Sequence, residues 1–282
     1  MTARRCSELS SEAGESLAAT ATSAESWLLV EVPGSWPRDV SAEGSLAAAA
    51  HDVVTSWLER TPRSRLLFIR RPGRKSRRSL AFVIHASETT TEVRRLELSG
   101  AADLEDVDLA CDGQRIDQAI VLVCGHGTRD ACCALRGVAV HGALASALED
   151  EELWISSHHG GHRFAANVLI LPLGLHLGRL EPDAAAVVVR DALSGRIELE
   201  RYRGRTSYPP PAQAAERVVR ETLGLDRVAD LHLAGIEGKV VRFRGPDGSE
   251  YDVVVEELVG PAVPASCGAE PEPQKGFGAR MA

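Results

Sequence analysis

QAIVLVCGHGTRDACCALRG, residues 118–137, joins two different hydrophobic periods. The run up to Cys124 is continuously apolar and short, as in a strand buried on both faces. It stops at Gly125-His126-Gly127, and RDACCALRGVAVHGALASAL (129–148) follows as a long helix with Asp130 near its start. Beyond the helix, LWISSHHGG (153–161) and ANVLILP (166–172) read as strands, and HLGRL (176–180) as the return strand of a hairpin. PDAAAVVVRDALSG (182–195) is a helix with Pro in its first turn and Gly after its end.

The order strand, helix, strand, strand, strand, helix is consistent with an α/β fold of thioredoxin-like layers at residues 117–205. Upstream, WLLVEVPG (27–34), RLLFIRRPG (65–73), SLAFVIHA (79–86) and EVRRLEL (92–98) read as strands. Residues 43–60 read as a helix on the spacing of Leu46, Val53, Val54, Trp57 and Leu58. A related α/β layer is therefore expected at 25–116, closing with an acidic link over 100–117, although no sequence repeat is visible between the halves. Residues 1–24 are expected to form an irregular arm. After the break at YPPP (208–211), a helix at 212–224 and a hairpin at 240–258 suggest a small helix-plus-hairpin appendage at 206–263, and 264–282 reads as a flexible tail.

The 282 residues are 44% hydrophobic and 26% charged, enough for one large or two ordinary domains and unlike a disordered chain. The net charge of -8 disfavours nucleic acid and anionic membranes and suits a basic patch on a protein partner. No apolar run is long enough to span a membrane, and the N-terminus has no secretory h-region. A cytoplasmic protein with reduced thiols is expected, so its six cysteines point to metal or redox chemistry.

Cys124 and Cys133 stand nine positions apart, and His158 and His162 four apart around Gly160-Gly161. Thiolates are the soft anionic ligands of iron–sulfur clusters, and two imidazoles can replace two thiolates on one iron, raising the potential. Gly125, Gly127, Gly160 and Gly161 would let backbone N–H groups approach the cluster, and a helix N-terminus near Cys133 would favour its thiolate. The wide Cys spacing departs from a zinc knuckle. A Rieske centre needs C-x-H and C-x-x-H. Cys124-Gly125-His126 supplies only the first, so His126 is placed beside the ligands rather than among them. The C-x-x-C of a thioredoxin-type dithiol is absent. Arg129-Asp130 reads as a helix start, with an ion pair beside the cluster loop as the alternative. Cys6 and Cys267 read as terminal thiols, with extra ligation or a redox pair as alternatives. The basic stretch 70–78 reads as a solvated hairpin tip.

C-G-H-G-T-R-D-x-C-C at 124–133 and W-x-S-S-H-x-G-G-H-R-F-A at 154–165 resemble the sucrase/ferredoxin-like family, as do CSELSSEAGESLAATA (6–21), WLLVEVPGSW (27–36) and SCG (266–268). The resemblance implies a thioredoxin-like [2Fe–2S] ferredoxin domain, with Cys124 and Cys133 on one iron and His158 and His162 on the other. It implies single-electron exchange with an unidentified redox partner protein and, through the imidazole N–H groups, proton coupling. The competing classes are a structural zinc or interaction module and a reductase acting on a small oxidant. No nucleotide-binding glycine fingerprint accompanies the latter, and no carboxylate pair supports sugar hydrolysis.

Overall fold

A computed structural model describes residues 4–73, 78–149 and 152–282. The chain runs α1 (Cys6–Glu12), β1 (Ser26–Glu31), α2 (Ala48–Arg60), β2 (Ser64–Arg70), β3 (Ser79–Ala86), β4 (Thr91–Leu98) and β5 (Gln114–Arg115). It continues with β6 (Ile120–Cys124), α3 (Ala131–Leu144), β7 (Leu153–Ser156), β8 (Val168–Leu171), β9 (Leu175–Leu177), α4 (Pro182–Leu193) and β10 (Tyr202–Arg205). The last part holds α5 (Pro210–Leu223), β11 (His232–Glu237), β12 (Val240–Arg244), β13 (Glu250–Pro264) and β14 (Pro271–Met281).

The two halves expected at 25–116 and 117–205 contribute to one ten-stranded sheet, in the order β10-β9-β8-β6-β7-β2-β1-β3-β4-β5. Each half repeats one pattern. β1 is parallel to β2 and antiparallel to β3, which pairs antiparallel with β4. β6 is parallel to β7 and antiparallel to β8, which pairs antiparallel with β9. The seam is short: β2 and β7 pair antiparallel through Ile69↔Ser156 and Arg70↔Ile155. Phe82 of β3 and Trp154 of β7, three strands apart in that order, meet edge-on with centroids 5.7 Å apart. A flat sheet would hold such strands about 14 Å apart, so the sheet curls. Strand residues from both halves, including Leu29, Phe82, Leu122 and Leu169, fill the core enclosed by that curl. On the opposite face, Val54 and Trp57 of α2 cover the first half. Val140 and Leu144 of α3, with Val188 and Val189 of α4, cover the second. Burial on both faces explains why the central strands read as unbroken apolar runs.

Several expectations shift. The N-terminal arm, expected to be irregular, carries α1. The first long helix begins at Ala48 rather than 43, because Gly44 takes a positive φ in the preceding turn. The next spans Ala131–Leu144 rather than 129–148. The 100–117 link contains a 3-10 turn at Ala101–Asp106 and the short strand β5. The basic tip at 70–78 falls partly on residues 74–77, outside the described residues.

The largest correction is at the C-terminus. Residues 264–282, expected to be a flexible tail, include β14, paired with β13 from Val253↔Met281 to Pro264↔Pro271. β14 is the edge of a four-stranded antiparallel sheet ordered β11-β12-β13-β14. An edge strand tolerates proline, which removes a ladder donor from a central one; the composition therefore concealed the strand. This sheet packs on α5 through Ala212, Val219, Val241, Phe243 and Val253.

Candidate metal centre

β6 ends at Cys124 in the middle of the curled sheet, and α3 packs directly over that end. A Cβ on Gly137 would overlap the carbonyl oxygen of Cys124, so only glycine lets α3 approach this closely. The approach brings Cys133 to Cys124. With His158, their donor atoms all lie within 4.8 Å of one another. Nδ1 of His158 is 3.7 Å from Sγ of Cys124 and 3.8 Å from Sγ of Cys133. Both cysteines are buried. Hydrogen bonding between them lowers the pKa of Cys124, against the effect of burial, and raises that of Cys133. The two thiols therefore titrate as one coupled pair.

His162 lies beside this group rather than within it. Its ring centroid is 5.0 Å from that of His158. Its Nε2–H donates to the carbonyl of Ala265 and stands 3.9 Å from Oδ2 of Asp130. Its Nδ1 is buried with no hydrogen-bond partner among the described residues. A ligating histidine commonly anchors one ring nitrogen on a carbonyl and leaves the other for the metal.

The neighbours named from sequence have specific tasks. His126 accepts from the backbone N–H of His158 through Nδ1 (3.1 Å) and donates through Nε2–H to the carbonyl of Pro37 (2.9 Å), so it fixes where His158 begins. Burial lowers its pKa and keeps it neutral. The N–H of Gly125 is engaged by the carbonyl of Ser156 rather than turned toward the thiols. Gly127 passes close to Ala134. Gly160 and Gly161 take φ of +103° and +72°, which turns the His158–His162 loop sharply. Asp130 caps α3, its Oδ1 accepting from the N–H of Cys132 at 2.8 Å. The backbone carbonyl of Arg129 accepts from Arg38 at 3.4 Å.

Sequence reading missed what grips the histidine loop from inside. The Arg203 guanidinium, fully buried, donates to the carbonyl of Gly160 (2.9 Å) and to Oδ1 of Asn167 (2.8 Å). Burial lowers its pKa to about 9. Nδ2 of Asn167 donates to the carbonyl of Gly161 at 2.9 Å. His159 is buried against His176, with Nδ1 and Nε2 3.0 Å apart. Thr22 donates to the carbonyl of His159. Only the local Gly-Gly turn announced this loop; its partners come from elements far along the chain.

A second group was not expected from sequence. The donor atoms of Cys6, Asp130, Cys132 and Cys267 all lie within 4.8 Å of one another. Adjacent positions on a helix face different directions, yet Cys132 and Cys133 are both fully buried. Cys133 faces β6, while Cys132 is covered by α1 and by the turn between β13 and β14. Burial opposes ionisation of Asp130, but the backbone N–H groups of Cys267 and Cys132 outweigh it and lower its pKa.

A family model described as Sucrase/ferredoxin-like matches residues 17–204. Relatives named "Altered inheritance of mitochondria protein 32" are similar over shorter stretches. The protein from Debaryomyces hansenii is 32% identical over 101 residues, 32% of this chain and 37% of its own. The one from Meyerozyma guilliermondii is 28% identical over 118 residues, 38% and 42% of the two chains. The one from Eremothecium gossypii is 31% identical over 152 residues, 48% and 47%. The chain thus spans less than half the length of these relatives. No solved structure matches the chain.

Proposed function

Because this chain belongs to the sucrase/ferredoxin-like family, we propose that it carries single electrons through a [2Fe–2S] cluster held by Cys124, Cys133, His158 and His162. The observation that carries the reading is the meeting of two buried thiols with one imidazole, beside a second imidazole whose Nδ1 is buried and, among the described residues, unpartnered. That donor set suits an iron–sulfur centre with mixed thiolate and imidazole ligation. When bound, the cluster supplies a one-electron couple, its potential raised by neutral rings in place of thiolates. Cys124 and Cys133 would supply the anionic ligands, and His158 and His162 the neutral ones. His126, Arg203 and Asn167 hold the histidine loop in place, and Ala265 orients the His162 ring. The strand order repeated in the two halves supports a thioredoxin-like scaffold for each. The net negative charge supports docking on a basic patch of a partner protein that gives or takes the electron. Among the described residues, no helix is long and apolar enough to cross a membrane.

A second reading rests on distance. The 3.7 and 3.8 Å separations of His158 Nδ1 from the two thiols lie near the edge of a tetrahedron around a single zinc ion, about 3.6 Å between sulfur and nitrogen. Purification without oxygen separates the two. The electron-carrier reading expects red-brown protein with about two irons and two sulfides per chain, bleached by dithionite and giving an EPR signal when reduced. Colourless protein whose zinc is lost in Cys124→Ser would support the structural-metal reading instead.

A further inference from the structure

Cys6, Cys132 and Cys267 take no part in the proposed cluster, yet they meet at one point. Their sulfurs are 3.5 Å (Cys6–Cys132), 3.3 Å (Cys132–Cys267) and 3.6 Å (Cys6–Cys267) apart. Oδ1 and Oδ2 of Asp130 lie 3.9 and 4.0 Å from Sγ of Cys6. The three thiols come from the start of α1, the first turn of α3 and the turn between β13 and β14. Only Cys132 and Asp130 fall within the residues matched by the family model, 17–204. Asp130 is held by two backbone donors, the N–H of Cys132 on Oδ1 and the N–H of Cys267 on Oδ2, each at 2.8 Å. Each oxygen keeps a second lone pair.

We propose that Cys6, Cys132, Cys267 and Asp130 form a second, mononuclear metal site of the zinc type, which ties both ends of the chain to the start of α3. The dimensions fit one small tetrahedral ion. Zinc–sulfur bonds of about 2.3 Å put the sulfurs about 3.8 Å apart, and a sulfur and an oxygen about 3.6 Å apart. A cluster of several irons would spread its thiolates over several metals and hold them further apart. Three thiolates and one carboxylate, all but Cys267 buried, form a soft anionic set that prefers zinc to magnesium or calcium. Binding displaces the thiol protons to solvent, and no electron moves. The rival chemistry is a disulfide, which would pair two of the three thiols and leave the third without a partner.

The two groups share no residue, although Oδ2 of Asp130 lies 3.9 Å from Nε2 of His162. The test is element analysis and zinc-edge X-ray absorption on the full chain, purified anaerobically with zinc and iron in the medium. About one zinc per chain is expected, with sulfur dominating its shell at about 2.3 Å. Cys6→Ser and Cys267→Ser should each lose the zinc while keeping iron and sulfide. Should either variant fold poorly, the wild type decides. A chelator should expose Cys6, Cys132 and Cys267 to alkylation together, as read by peptide mass. The proposal is overturned by protein that holds no zinc and takes none up when zinc is added. It is equally overturned by zinc retained in both variants, or by a disulfide among these cysteines in the anaerobic protein. Zinc lost in Cys124→Ser but kept in Cys267→Ser would assign the ion to the first centre. Absent iron with this zinc intact would defeat only the electron-transfer reading.

Discussion

His162 engages its surroundings with one ring nitrogen and leaves the other buried and, among the described residues, unpartnered. That division has a redox consequence if the ring ligates iron. Oxidised iron withdraws more charge from an imidazole than reduced iron, so the ring N–H is more acidic in the oxidised state. Reduction then takes up a proton, and the potential falls as pH rises, by up to about 59 mV per unit for one proton per electron. His158→Cys and His162→Cys are each expected to keep iron and sulfide while lowering the potential, since an anion replaces a neutral ring. The double variant should lose most of the pH slope. Redox titrations from neutral to alkaline pH check this, and a wild-type potential flat throughout would contradict the coupling.

His159, between the two proposed ligands, makes a different demand. Burial pushes its pKa from 6.5 down to about 4. The unfolded chain takes up a proton below pH 6.5 that the folded chain refuses until about pH 4, so stability is lost as pH falls through that window. The full loss is about 3 kcal/mol. His159→Gln should lose less than wild type over the same range in urea titrations, with iron content followed in parallel. Equal losses in both proteins would assign the acid sensitivity elsewhere.

Among the elements, the contact of α3 with the end of β6 sets the first centre. Gly137 lies where a Cβ would meet the Cys124 carbonyl, whereas Gly142 on the same helix has nothing within 4 Å of such an atom. Gly137→Ala should therefore force α3 away from β6, costing about 1–3 kcal/mol and lowering the iron bound per chain. Gly142→Ala should be neutral or stabilising by about 0.5–1 kcal/mol, because alanine favours the helix. Comparing the two variants by urea midpoint and iron assay separates close packing from helix propensity. Gly137 could not be singled out in the sequence, because a glycine inside a helical run looks the same whether a backbone passes beside it or not. The Cys124–Cys133 and His158–His162 spacings, by contrast, could be read directly, because each belongs to one strand–turn–helix or loop segment.

For the molecule as a whole, a buried polar contact is one of the links between α5 and the large sheet. Arg220 and Glu216 are both fully buried and pair at 2.9 Å, and Tyr202 of β10 donates to the other oxygen of Glu216 at 3.0 Å. Glu216→Ala would leave the guanidinium charge buried without its carboxylate, and a loss of about 3–5 kcal/mol is expected. Glu216→Gln keeps the shape and should cost less. Urea unfolding of the two variants reads the difference, and equal stability would show that the ion pair adds little.

Local sequence was enough for the strand ending at Cys124, the helix after it, the histidine loop and most strands of the large sheet. Each is marked by hydrophobic period, proline or glycine within a few residues. Local sequence did not reveal that both halves share one curled sheet, because the β2–β7 pairing joins residues 69–70 to 155–156 and no short-range pattern encodes it. Nor did it reveal that the proline-rich C-terminus forms an edge strand, or that the turn before it brings Cys267 to residues 6 and 132. Where thiols stand 126 and 135 positions apart in the chain, their meeting is decided by packing, and only the tertiary structure brings them to one point.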